Sequence, residues 1–126
     1  LLDVETTMMP SKALTRVQAT HAATGTQTRG YEIHVGRTQG PDCARPVFHV
    51  DGSLPEGASS ADGRVQGTYL HGNFASDPFR AAWLARFGQS STVRYDTLME
   101  DTLASLARHI EAHVDIDTLL KICERG

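Results

Sequence analysis

Two short stretches of this chain put side chains capable of acid–base chemistry where such chemistry is usually done. In Gly67-Thr68-Tyr69-Leu70-His71-Gly72-Asn73-Phe74, a histidine ends a strand-like run and is followed at once by glycine. Open α/β sheets bind ligands outside the carboxyl ends of their strands. Imidazole, with an ordinary pKa of about 6.5, suits proton transfer at neutral pH. Gly72 lets the backbone turn with no Cβ beside the ring. His71 is therefore the candidate base, and the plainer alternative is a structural histidine bonded to its own loop. In Gly30-Tyr31-Glu32-Ile33-His34-Val35-Gly36, Glu32 and His34 lie two apart and so share one face of a strand. The carboxylate can orient that imidazole, or the pair is simply a solvated polar face.

The remaining chemistry-bearing residues point elsewhere. His109 and His113 are four apart on a helical pattern, with Glu111 between them. The H-E-x-x-H order of zinc proteases is not met, no third ligand is at hand, and a solvated helix face results. Cys43 sits in a Pro/Gly loop and Cys123 on a helical stripe. Neither has the strand–turn–helix setting of a nucleophile elbow, and without C-x-x-C spacing they suggest a reducing, cytoplasmic setting. A small metal-dependent hydrolase using His71, His34 and Glu32 is a further alternative, though a metal site needs three convergent ligands and the spacing suggests only a strand pair.

The elements that must position these groups follow from periodicity. Thr6 to Pro10 reads as a strand edge stopped by a proline without an N–H. Ala13 to Ala22 alternates imperfectly, and Gly30 to Gly36 is a period-2 strand with one polar face. Pro46 to Val50 reads as a short strand closed by Asp51-Gly52, Leu54 to Gly63 as an exposed loop, and Arg64 to Leu70 as a strand running into His71. Ser76 or Asp77 caps a helix with Pro78 in its first turn, ending near Phe87 and Gly88. Asp96 to Val114 carries one apolar stripe, and Asp115 or Asp117 caps a last short helix.

Strands first and helices later is an α/β outline. The 126 residues allow one domain and hardly two. With 12 Lys+Arg against 15 Asp+Glu, the formal net charge is −3, so there is no basic stripe for nucleic acid. No apolar run approaches the length of about 20 residues that a bilayer span needs. The chain opens on Leu1 rather than methionine, with neither the basic nor the apolar region of a signal peptide. A piece of a longer protein is the expectation.

Taken in order, LLDVETTM, GYEIHVGRT and DGRVQGTYLHGNF resemble the cobyric acid synthase family, glutamine-dependent amidotransferases of cobalamin biosynthesis. The likeness runs from Leu1 to about Arg80 and falls in the C-terminal part of the family's glutaminase domain. It implies a class I glutamine amidotransferase-like α/β fold, a flavodoxin-like sheet with flanking helices, present here as an incomplete C-terminal portion. That portion would cover residues 1–126, with strands and loops over 1–75 and helices over 76–126. It further implies that His71 is the base of a cysteine–histidine pair acting on glutamine. Ammonia would then pass to an N-terminal synthetase domain, where ATP and Mg²⁺ serve amidation of a corrinoid, adenosylcobyrinic acid a,c-diamide.

The resemblance assigns no cofactor or metal to this piece, and it leaves Glu32, His34 and Arg37 as signature residues without a role. They line the glutamine pocket or brace the sheet. Where many class I relatives carry a glutamate two residues after the histidine, this chain has Asn73, a candidate to orient the ring by a hydrogen bond. The family's G-x-C-G-G elbow falls upstream of LLDVET, so the piece alone is expected to be inactive and, through exposed sheet surface, to self-associate. The alternative is a catalytically silent amidotransferase-like domain that docks a partner.

Overall fold

Alternating side chains build a long hairpin at the centre of the computed structural model, which describes residues 1–124. Its arms are β1 (Glu5–His21) and β2 (Gln27–Gln39), joined by a turn through Gly25. Pro10 does not stop the first arm as its missing N–H predicts. The ladder instead shifts register, so that Met8 faces Gly36 and Ala13 faces His34, leaving Met9 to Lys12 opposite Val35 alone. Proline is tolerated there because an irregular stretch asks for no ladder donor.

β3 (Phe48–Val50) and β4 (Leu54–Glu56) add to one side of the hairpin, and β7 (Leu70–His71) to the other. The sheet order is β4-β3-β1-β2-β7, and every pairing is antiparallel. The α/β composition stands as expected, and the antiparallel ladder explains why one face is left to solvent.

The expected exposed loop at Leu54–Gly63 is a correction. It holds β4 and β5 (Ala58–Ser59), with Glu56, Ala58 and Ser59 buried. β5 pairs with β6 (Gln66–Gly67) through a tight turn in which Asp62 accepts from the Ser60 hydroxyl at 2.6 Å and the Arg64 N–H at 3.1 Å. The expected strand Arg64–Leu70 is likewise broken in two, because Thr68 Oγ1 takes the Leu70 N–H at 3.0 Å and a side chain displaces the ladder locally.

The chain divides into two compact units, Leu1–Thr92 and Val93–Gly126. Arg125 and Gly126, inside the expected 1–126 span, lie outside the described residues. In the first unit, α1 (Asp77–Ala85) is capped by Ser76, whose hydroxyl accepts the Phe79 N–H, and Gly88 follows its end at φ 68°. α1 therefore belongs with the strands rather than with the later helices. Val17, Ala19, Val47, Phe48, Val50, Leu70 and Phe79 form the core, with Trp83 packed against it. In the second unit, α2 (Tyr95–His113) and α3 (Ile116–Cys123) follow the expected boundaries within a residue or two, and Asp115 caps α3 through the Thr118 N–H at 3.0 Å.

His21 lies inside the aromatic core, 1% exposed, with its ring 5.5 Å from that of Phe48 and 5.2 Å from that of Phe79. Thr24 Oγ1 donates to Thr26 Oγ1, so it accepts from His21 Nδ1 at 2.8 Å, and Nε2 is left buried without a partner. Burial, and secondarily the charge of Arg86, hold this imidazole below its usual pKa. A depressed histidine contributes stability that is whole above the unfolded value of about 6.5 and is lost as pH falls through the folded value. Hydrogen exchange in the β1–β3 ladder, corrected for intrinsic rates, is expected to quicken below about pH 6.5 and to lose that dependence in His21→Phe. A pH dependence retained in His21→Phe would refute the assignment.

Candidate active site

His71 ends β7, the outer strand of the sheet, and its side chain is exposed. In the ladder it stands opposite Tyr31, while Leu70 stands opposite Glu32. Residues directly opposite in a sheet share a face and neighbours along a strand do not. His71 thus shares the outer face with Tyr31, which is 48% exposed, while Leu70 turns into the core at 3%. Gly72 adopts φ 78° and ψ 2°, a left-handed conformation that L side chains rarely take. It turns the chain straight from the strand into a short 3-10 turn, Asn73–Ala75.

That turn is fastened from two sides. The Thr28 hydroxyl donates to the Asn73 carbonyl at 3.0 Å, and Arg80 donates to the Phe74 carbonyl at 2.6 Å while also pairing with Asp77. Asn73 is buried, and among the described residues its side chain makes no hydrogen bond to His71. The Asn73 expectation therefore finds no support in this geometry.

Glu32 and His34 are together, as two-residue spacing requires. Glu32 Oε1 lies 3.3 Å from His34 Nε2, and His34 Nδ1 donates to the Gly36 carbonyl at 2.6 Å. The His34 ring stacks on Tyr69 with centroids 4.6 Å apart. Tyr69 in turn shares a 2.6 Å hydrogen bond with the Thr38 hydroxyl.

These groups do not meet His71. They line a cavity of about 580 Å³ whose wall includes Glu32, His34, Arg37, Cys43, Glu56 and Tyr69. Convergence of His71, His34 and Glu32 on one metal is thereby excluded by face. Among the described residues, no group of three His, Cys, Asp or Glu is placed to hold a metal ion. His109 and His113 stack at 4.3 Å, with His113 Nδ1 donating to the His109 carbonyl at 2.7 Å.

The residue that sequence reasoning missed is Glu56. It is 8% exposed, and its two oxygens accept from the Thr68 hydroxyl and the Tyr69 N–H, each at 2.6 Å. Burial pushes its pKa above the ordinary carboxylate value, and Glu32 pushes the same way. Those two hydrogen bonds and His34 pull against the rise. A glutamate in a Pro/Gly-rich stretch with no periodicity carries no local mark. The one usable signal was Asp62-Gly63, a hairpin dipeptide that folds the segment back.

A strand-end histidine thus stands exposed on an open sheet edge, with the loop that follows it clamped. The chain belongs to the CobB/CobQ-like glutamine amidotransferase domain family, whose model matches residues 1–79. Among its relatives, the cobyric acid synthase of Jannaschia sp. (strain CCS1) is 59% identical over 122 residues, 97% of this chain and 25% of that protein. That of Cereibacter sphaeroides (strain ATCC 17025 / ATH 2.4.3) is 57% identical over 123 residues, and that of Paracoccus denitrificans (strain Pd 1222) 53% over 122, with the same coverages. The chain thus spans about a quarter of the length of these curated relatives. No solved structure matches it. Among the described residues, no helix is long and apolar enough to cross a membrane.

Proposed function

We propose that this chain is part of a glutamine-dependent amidotransferase of the cobyric acid synthase kind, and that His71 is the general base of its glutamine-splitting site. The observation that carries the reading is the placement of His71, exposed on an outer strand while the backbone on either side is tied down. Accessible imidazole on a fixed frame is what proton transfer requires.

The chemistry is that of a thiol–imidazole pair. A cysteine sulfur attacks the glutamine side-chain carbonyl carbon as His71 takes its proton, and the C–N bond breaks as the same proton returns to the departing ammonia. Water then hydrolyses the thioester to glutamate. The cysteine belongs, on this reading, to the N-terminal part of the full-length protein. Cys43 lines the inner cavity rather than the His71 face, and Cys123 is on α3 in the second unit. Ammonia serves ATP-dependent amidation of adenosylcobyrinic acid a,c-diamide in the synthetase portion. The exposed outer face of the hairpin, with Leu14, Tyr31 and Val35, is where the isolated piece would self-associate.

Purified full-length protein is expected to release glutamate from glutamine, and to be inactivated by one equivalent of a diazo-ketone analogue of glutamine. Failure of both would leave the silent docking domain as the better account.

A further inference from the structure

We infer that Glu56 is a positioning residue for the glutamine-splitting site: its carboxylate grips consecutive donors just ahead of β7 and so sets where His71 stands. The inference rests on the role proposed for His71. β4 and β7 are the two outer strands of the sheet, with β3, β1 and β2 between them, so no ladder joins them. Glu56, the last residue of β4, nevertheless reaches the segment that leads into β7. One oxygen accepts the Tyr69 N–H and the other the Thr68 hydroxyl, and Thr68 Oγ1 accepts the Leu70 N–H in turn. Thr68, Tyr69 and Leu70 are thereby tied to one carboxylate, and His71 is the next residue.

The other end of this brace is anchored in the core. Glu56 pairs with Phe48, whose side chain is wholly buried, and its carbonyl accepts the Val47 N–H at 2.9 Å. β7 needs such help. It has two residues, and its hold on β2 amounts to two opposed pairs and the Ile33 N–H donated to the Tyr69 carbonyl at 3.2 Å, a short ladder that gains from a further tie. Burying a carboxylate is unfavourable, as its raised pKa records, and joining two strands does not by itself require one, since a well-packed apolar contact often serves as well. Short charge-assisted bonds add direction, which matters where a proton acceptor must meet a sulfur within hydrogen-bond reach.

The test uses the full-length protein, with turnover expressed per active site titrated by the diazo-ketone analogue. Glu56→Gln keeps the size but turns a donor on the Thr68 hydroxyl. It is expected to lower kcat for glutamine hydrolysis about tenfold with KM for glutamine within about twofold, the mark of a group that acts in the transition state. Thr68→Val is expected to lose a similar factor, Thr68→Ser to keep the parent kcat, and the double variant Glu56→Gln/Thr68→Val to lose less than the product of the two. Should Glu56→Gln not fold, the two Thr68 variants decide alone. Parent-like kcat in Glu56→Gln and Thr68→Val, or a loss expressed in KM, overturns the inference. His71→Ala separates the failures: unchanged hydrolysis there removes the active-site reading, whereas loss there with no loss in the Glu56 and Thr68 variants removes only the brace.

Discussion

His71→Ala in the full-length protein is expected to reduce glutamine-dependent turnover by about 10²–10⁴-fold, the usual worth of a positioned acid–base group. Turnover supported by added ammonium is expected to persist, because that route bypasses the thiol. The structure argues for a loss of this size by giving the imidazole nothing else to do. It is exposed on an outer strand, and among the described residues no hydrogen bond or ion pair engages its side chain. A structural histidine would behave differently. Its removal would weaken the fold and depress both routes together, while hydrolysis of glutamine per folded molecule would survive. Comparing glutamine with ammonium as nitrogen source, on one preparation, decides between the two.

Gly30→Ala is expected to cost nearly as much without touching a reacting group. A Cβ at position 30 would lie 2.3 Å from the His71 carbonyl oxygen and 2.9 Å from Leu70 Cδ1. The first contact is backbone, so no rotamer change relieves it. β7 must move outward by about 1 Å before the contact becomes tolerable, and a displacement of about 1 Å can cost 10²-fold in rate. The loss should fall on kcat for glutamine, with ammonium-supported turnover again spared. An alanine variant with parent-like glutamine kinetics would show that β7 sits less tightly on β2 than the geometry says.

Much of the frame was legible because it is written locally. Tyr31, Ile33 and Val35 alternate with Glu32 and His34 in β2, and the ion-pair geometry of Glu32 with His34 follows directly from two-residue spacing. Ser76-Asp77-Pro78 announced α1, and the apolar stripe from Leu98 to Ile110 announced α2. His71 was visible as the meeting of a strand end and a glycine that turns the chain.

What escaped depends on pairings that no local periodicity marks. Glu56 finds its partners in Thr68 and Tyr69, which the β5–β6 hairpin folds back beside it. Nothing periodic in the residues between them marks the contact, and only the Asp62-Gly63 dipeptide hints at the fold-back. The break between β6 and β7 was hidden for a related reason. RVQGTYL has the composition of one strand, and only the capture of the Leu70 N–H by its own neighbour Thr68 ends the pairing. The inner cavity had no forerunner in the sequence either, since its wall is gathered from β2, the turns around Cys43 and Gly57, and the chain ahead of β7.

The irregular stretch from Met9 to Lys12 acts as a phase changer for β1. Ahead of it, Thr6, in line with Leu2 and Val4 just before the strand, borders the cavity, whereas beyond it the odd-numbered Val17, Ala19 and His21 turn toward the aromatic core. One strand thereby furnishes two separate interiors, which strict alternation across 17 residues would forbid. Gain or loss of a residue inside the stretch leaves both interiors in step, while the same change between Ala13 and Thr20 would trade Val17 and Ala19 for Arg16 and Gln18.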